Sequence, residues 1–168
     1  AIERRRSVRH FQATEVNTST VQKILKAAIQ APSAGNRQPW HFIIVRRSAL
    51  KQALAQAAYG QDFVAEAPVV IVVCADPARS AARYGTRGRD LYCLQDTAAA
   101  TEHILLAATA LSLGSCWVGA FDEEAAAHAL TLPSHLRPVA LVPIGHPVAE
   151  PGGRTPRLSL AEITSLLE

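Results

Sequence analysis

Apolar residues recur at helical spacing over 19–29, where Val21, Ile24, Leu25, Ala28 and Ile29 share one face of STVQKILKAAI. Ser19 and Gln22 have capping-box spacing, which predicts a marked helix start. HFIIVRR (41–47) reads as a strand and SALKQALAQAA (48–58) as a short helix capped by Ser48. PVVIVVCA (68–75) is apolar at nearly every position, as expected of a strand buried on both faces. The polar run DPARSAARYGTRGRD (76–90) carries two glycines and little periodicity, and reads as a covering loop. A long helix is predicted over about 91–113, with Ala98, Thr101, Leu105, Ala108 and Leu111 along its buried stripe and Gly114 as its stop. SCWVGAF (115–121) is a third strand, DEEAAAHAL (122–130) a helix and PVALVPIGHP (138–147) a fourth strand. In the tail, Ser159 and Glu162 have capping-box spacing, whereas ITSLL suits a strand equally. About four strands and five helices give an α+β or α/β layered arrangement, expected as one domain over 1–168.

Composition narrows this only moderately. With 168 residues, 49% apolar and 18% charged, the chain suits a globular protein that buries surface against a second copy of itself. Its apolar runs fall far short of the ~20 residues of a membrane span, so no membrane partner is expected. The basic opening AIERRRSVRHF is not followed by a signal-type apolar stretch. Three widely spaced cysteines, Cys74, Cys93 and Cys116, read as reduced core thiols, and the protein as cytoplasmic. The net charge of +3 is mild but concentrated: Arg4, Arg5, Arg6 and Arg9 form one group, and Arg79, Arg83, Arg87 and Arg89 another.

Four segments carry candidate chemistry. In RRRSVRHF (4–11), guanidinium groups offer paired donors to a phosphate and Ser7 adds a hydroxyl. A solvated basic terminus or a nucleic-acid contact explains the same charges, but Val8 and Phe11 interleave apolar anchors that should hold the segment against the fold. In APSAGNRQPW (31–40), Pro32 ends one element and Pro39 sets the entry to the next. Ser33, Ala34 and Gly35 admit close backbone approach, and Asn36 and Gln38 offer amides to a heterocycle edge. A helix–strand connection facing water fits the same residues. In GSCWVGAFD (114–122), Gly119 and Ala120 place backbone N–H groups at a strand end, where simple packing is the plainer explanation. Arg157, in GRTPRLSL (153–160), is either a phosphate contact or a surface arginine. No GxSxG, HExxH, paired-cysteine, Walker or GxGxxG motif occurs, so no catalytic side chain is assigned. The six histidines lack metal-ligand spacing, and no metal is expected.

Taken in order, RRSVRHF, APSAGNRQPWHFIIV, APVVIVVCAD, a long helix leading into LGSCWVGAFD, LVPIGHP and PRLSLAEI resemble the FMN-dependent nitroreductase family over nearly the whole chain. The resemblance implies an α+β fold, a mixed β-sheet flanked by helices, in an interlocked homodimer with FMN at the interface. Arg5, Arg6, Ser7 and Arg9 match the family's N-terminal flavin-binding segment, and Arg157 a second phosphate contact. Pro32, Ser33, Ala34 and Asn36 match the stretch that reaches the flavin from the partner subunit, and Gly119 and Ala120 the backbone near the ring's reactive edge. Part of 161–168 is implied as a strand pairing with the partner.

The implied activity is a ping-pong oxidoreduction in which NADH or NADPH is the donor. Nitroaromatics, quinones, free flavins or activated enones are the small-molecule acceptors. The chain is short for the family and lacks room for the helical lid of larger members. That leaves 76–90, with Tyr59, Phe63, Tyr84 and Tyr92, as the pocket cover. A flavin binder without turnover is one alternative. A nucleic-acid-binding module is another, disfavoured because aromatics are only 5% and do not interleave with the basic runs.

Overall fold

In the computed structural model, which describes residues 1–149, 152–153 and 155–167, the first apolar stripe becomes α1 (Thr18–Ala28). Its start is set by Asn17 rather than Ser19. The Asn17 carboxamide oxygen accepts the Thr20 N–H at 2.8 Å, and the Ser19 hydroxyl donates to the same oxygen. Ser19 already lies within the first turn, so it is not placed to cap it. β1 (Trp40–Val45) and α2 (Ser48–Ala57) follow, and Arg47 occupies the N-cap of α2 without a side-chain bond. Ser48 is therefore the first residue inside that helix, not its cap. After α3 (Phe63–Glu66), a single turn, comes β2 (Val69–Ala75).

The polar run expected as a loop is helical. α4 (Pro77–Arg87) runs through a π turn at 88–92 into α5 (Cys93–Ala110). Asp76 caps α4 by accepting the Arg79 N–H at 3.3 Å, and Pro77 supplies the favoured first position. Gly85 interrupts α4 at φ 55° and ψ −138°, a conformation that suits glycine. The end of α5 also differs from expectation. Ser112 takes φ 59° and the Leu113 N–H returns to the Ala108 carbonyl, so the stop precedes Gly114.

Gly114 instead opens β3 (Gly114–Ser115), much shorter than the strand expected over 115–121; beyond it Val118 only bridges Leu141. α6 (Glu123–Ala129), capped by Asp122, leads to β4 (Arg137–Gly145) and finally α7 (Leu160–Ile163). At α7 the local signal prevails over the first three residues of the expected strand segment, 161–163. The Glu162 carboxylate accepts the Ser159 N–H at 2.8 Å, the capping box is complete, and Thr164 beyond the helix is extended. Glu168, the last residue of the expected strand, lies outside the described residues.

The sheet runs β1-β2-β4-β3 with antiparallel neighbours, and Ser7 adds a parallel bridge to Ser115. Val69, Ile71 and Val73 join α1 and α5 in one core, while Val70, Val72 and Cys74 join α2, α3 and α6 in the other. Helices on both faces explain why β2 is apolar throughout. Each fully buried aliphatic side chain contributes about 1.5–3 kcal/mol. All three cysteines are free and buried, and burial pushes the Cys74 thiol up to about 12.

Candidate functional site

The N-terminal segment is strapped along the β3 edge. The Val8 N–H donates to the Ser115 carbonyl at 2.9 Å, the Gln12 N–H donates to the His146 carbonyl at 2.8 Å, and Phe11 bridges Pro147. Gly114 and Gly145, paired across β3 and β4, make the room. A Cβ on Gly114 would meet Val8 Cγ1 at 2.7 Å, and one on Gly145 would meet Phe11 Cδ1 at 2.9 Å. Val8 and Phe11 are thus the anchors that the sequence predicts. Between and before them Arg5, Arg6, Ser7 and Arg9 line a cleft of about 660 Å³, joined by Thr155 and Arg157 from the C-terminal arm.

Guanidinium groups dominate the charge of this cleft. Arg5 lies 3.5 Å from Glu102, whereas Arg6 and Arg9 have no carboxylate partner among the described residues. Arg6 Nη1 donates to the Glu3 carbonyl at 2.6 Å, but its Nε is buried without an acceptor among the described residues. An unmatched buried donor costs about 1–3 kcal/mol, more when charged, until an acceptor arrives. Arg157 Nη1 donates to the Thr155 hydroxyl at 2.9 Å. The positive field reaches inward to Cys116: burial pushes its thiol up, while Arg9, a Ser7 hydrogen bond and Arg5 pull it back.

The turn at 31–39 is held from inside and outside. Gly35, Asn36 and Gln38 all take left-handed φ, at 55°, 54° and 51°. The Ser33 hydroxyl accepts the Gln38 N–H at 3.0 Å, and the Ala34 N–H donates to Asp96 Oδ1 at 3.1 Å. Asp96 is buried on α5, and burial raises its carboxyl above the ordinary range, partly offset by that hydrogen bond. Its other oxygen has no partner among the described residues. On the outside, Arg37 Nε donates to the Arg79 carbonyl at 2.9 Å and Arg79 Nη1 to the Gln38 carbonyl at 3.1 Å. A Cβ on Gly35 would fall 2.5 Å from Tyr84 Oη, so within this chain the glycine admits a tyrosine of α4. Pro32, Ser33, Ala34 and Asn36 do not line the arginine cleft of their own chain.

Gly119 and Ala120 form an exposed bend between the Val118 bridge and the Asp122 cap. Neither N–H has an acceptor among the described residues, and the Ala120 carbonyl accepts Gln61 Nε2 at 3.1 Å. Two residues further on, Phe63 lies 5.8 Å beneath the Arg9 guanidinium. Gln61 and Phe63 therefore connect the bend to the arginines. Gln61 carries no spacing signal that would single it out, and Phe63 had been assigned to the surroundings of 76–90. Of the aromatic residues given to that segment, Tyr84 and Tyr92 pair there, while Tyr59 projects into solvent at φ 57°.

A profile of the nitroreductase family matches residues 2–61 and 55–146. A provisionally named NADH dehydrogenase/NAD(P)H nitroreductase of Archaeoglobus fulgidus is 42% identical over 151 residues, covering 87% of this chain and 83% of that protein. A Bacillus subtilis protein named as an FMN reductase with NAD(P)H is 29% identical over 166 residues, 91% of this chain and 66% of that one. Among solved structures, a nitroreductase family protein from Streptococcus pneumoniae superposes with a TM-score of 0.88 at 26% identity, covering 99% of this chain and 98% of the other.

Proposed function

The chain belongs to the nitroreductase family, and on that premise we propose that it is a homodimeric, FMN-dependent oxidoreductase drawing electrons from NADH or NADPH. The observation that carries this reading is the arginine cleft with its unmatched Arg6 Nε. Arg5, Arg6, Ser7, Arg9 and Arg157 would hold the FMN phosphate and the polar edge of the ring. Charge-assisted hydrogen bonds contribute about 1.5–3 kcal/mol each. Three or four of them, with ring burial, supply the ~8–12 kcal/mol of micromolar-to-nanomolar binding after association costs. The unspent N–H groups of Gly119 and Ala120 would serve the ring's reactive edge, and Pro32, Ser33, Ala34 and Asn36 would close the pocket from the partner subunit.

Bound there, FMN supplies the hydride-accepting and electron-passing chemistry, which accounts for a site without a catalytic acid–base pair. The residues orient the cofactor, exclude water and leave one face for donor and acceptor in turn, a ping-pong cycle. Nitroaromatics, quinones, flavins and activated enones are the acceptor classes. The homodimer is supported by the C-terminal arm, where Leu158, Leu160, Ile163, Leu166 and Leu167 are all exposed.

The test is a visible spectrum of the purified protein incubated with FMN and desalted, then treated with NADH or NADPH under argon. A flavin spectrum that bleaches is the expected result. Protein that takes up no FMN overturns the reading, and a flavin that neither donor reduces leaves a binder without turnover.

A further inference from the structure

The four arginines of 79–89 meet different neighbours. Arg79 pairs with Asp76 at 3.3 Å and Arg89 with Asp90 at 2.8 Å. Arg83 and Arg87, between them, have no carboxylate within 4.0 Å among the described residues. Each stands over an aromatic ring instead, Arg83 at 5.5 Å from the Tyr84 centroid and Arg87 at 5.3 Å from that of Tyr92. Arg87 Nε donates to the Tyr92 hydroxyl at 2.9 Å, and the two tyrosine rings meet edge to face at 5.1 Å. Cation–π contact orients a guanidinium without neutralising it, so two fixed positive charges remain available on an aromatic pad. A solvated basic face is the ordinary fate of such a run. Here, however, the carboxylates neutralise only the outer pair, and the inner pair is held by rings.

The pad abuts the turn assigned above to the flavin. A Cβ on Gly35 would lie 2.5 Å from Tyr84 Oη and 3.1 Å from Arg83 Cδ, so both residues overlie that turn. On the dimeric reading, on which this inference rests, the pad then borders the space left for the acceptor. We infer that Arg83, Tyr84, Arg87 and Tyr92 form an anion-accepting subsite that selects planar acceptors bearing a carboxylate, such as carboxylated nitroaromatics or quinones, over their neutral counterparts. The acceptor presents its ring to the tyrosines and its carboxylate to the guanidinium forks. A neutral acceptor gains the stacking alone.

The experiment uses the full chain loaded with FMN and a matched pair of probes, 4-nitrobenzoate and 4-nitrobenzamide. At saturating NADH, kcat/KM for the anion is expected to exceed that for the amide by about 10-fold, the value of one charge-assisted contact. In the variant combining Arg83→Gln and Arg87→Gln the ratio falls to about 1, through KM for 4-nitrobenzoate, with KM for NADH unchanged. Calorimetric titration of 4-nitrobenzoate into the oxidised protein gives a readout without turnover: its Kd rises in that variant and at high salt. Tyr92→Phe, which keeps the ring and removes the tether on Arg87, gives an intermediate ratio. Equal kcat/KM for the two probes in the parent overturns the inference while leaving the oxidoreductase reading intact. A rise in KM for NADH with the probe ratio unmoved also overturns it, and assigns the arginines to the donor's phosphates. A chain that binds no FMN, or bleaches with neither donor, fails at the underlying reading instead and takes the inference with it.

Discussion

Two groups of four arginines, one at 4–9 and one at 79–89, carry the same charge and are held in different ways. The first follows a turn at 2–4 and is anchored by its apolar neighbours Val8 and Phe11, whose positions are set by glycines more than a hundred residues away. Three of its side chains, Arg5, Arg6 and Arg9, converge with Arg157 on one cleft because the backbone beneath them is fixed from a distance. The second is held locally, by Asp76 and Asp90 at its ends and by tyrosines in its middle. Local carboxylates neutralise Arg79 and Arg89, whereas local rings and distant anchors alike leave charge to be used. An arginine's worth to a ligand is therefore decided by what holds it, carboxylate or not, and the count of charges in a run does not reveal it.

The contrast is broken most sharply at Arg6. Arg6→Ala should weaken FMN binding by about 10- to 100-fold, measured by quenching of flavin fluorescence, whereas Arg89→Ala, which removes only an exposed local pair, leaves FMN affinity unchanged. Equal losses at the two positions would dissolve the distinction. Next comes Gly85→Ala. Its Cβ meets open space, so the cost is backbone strain of about 1–3 kcal/mol, and the melting temperature should fall by several degrees with FMN affinity retained.

Asp96→Asn probes the support under the turn at 31–39, against which the second group packs. Because burial raises the Asp96 carboxyl, the folded state holds its proton more tightly than the unfolded chain does. Stability from this group is thus fullest below the unfolded value of about 3.9 and declines as pH rises through the raised folded value. Asparagine keeps an oxygen for the Ala34 N–H without the buried charge. The variant should melt above the parent at neutral pH, with the gap closing towards about pH 4. A variant that melts below the parent at neutral pH would mean that the ionised carboxylate has a stabilising partner.

The smallest effect belongs to Glu123→Gln. It removes a two-pronged pair with Arg137, at 2.7 and 2.8 Å, in which both side chains are over two-fifths exposed. Solvent screening limits the loss to about 0–1 kcal/mol, and high salt should erase it.

Where apolar period was strong the fold was legible. β2 and most of the stripes of α1 and α5 follow from residues such as Val72, Ile24 and Leu105, whereas Ile29 and Leu111, at the ends of the expected stripes, lie just past the helices and are exposed. α4 was not, because a polar helix with Gly85 and Gly88 leaves no apolar stripe. Its close packing comes from the absent side chain of Gly88, where a Cβ would meet the Ser80 carbonyl oxygen at 2.5 Å. Caps were misplaced by one or two residues wherever two candidates adjoined, as at Asn17 and Ser19. Arg5, Arg6, Ser7, Arg9 and Arg157 were legible as chemistry, and their meeting in one cleft follows from the strap across β3. Gln61 stayed hidden because only the path of the chain after α2 brings it to Ala120.

The strap has a consequence for the order in which the protein is made. Residues 7–12 leave the ribosome well before their partners Ser115, His146 and Pro147; Gln12 donates to a carbonyl 135 positions later. Until β4 has emerged and paired with β3, the opening segment has nothing to lie on, and its arginines stay dispersed. The cleft is accordingly among the last parts to assemble, and a nascent chain stalled before residue 145 lacks the strands that bring its arginines together.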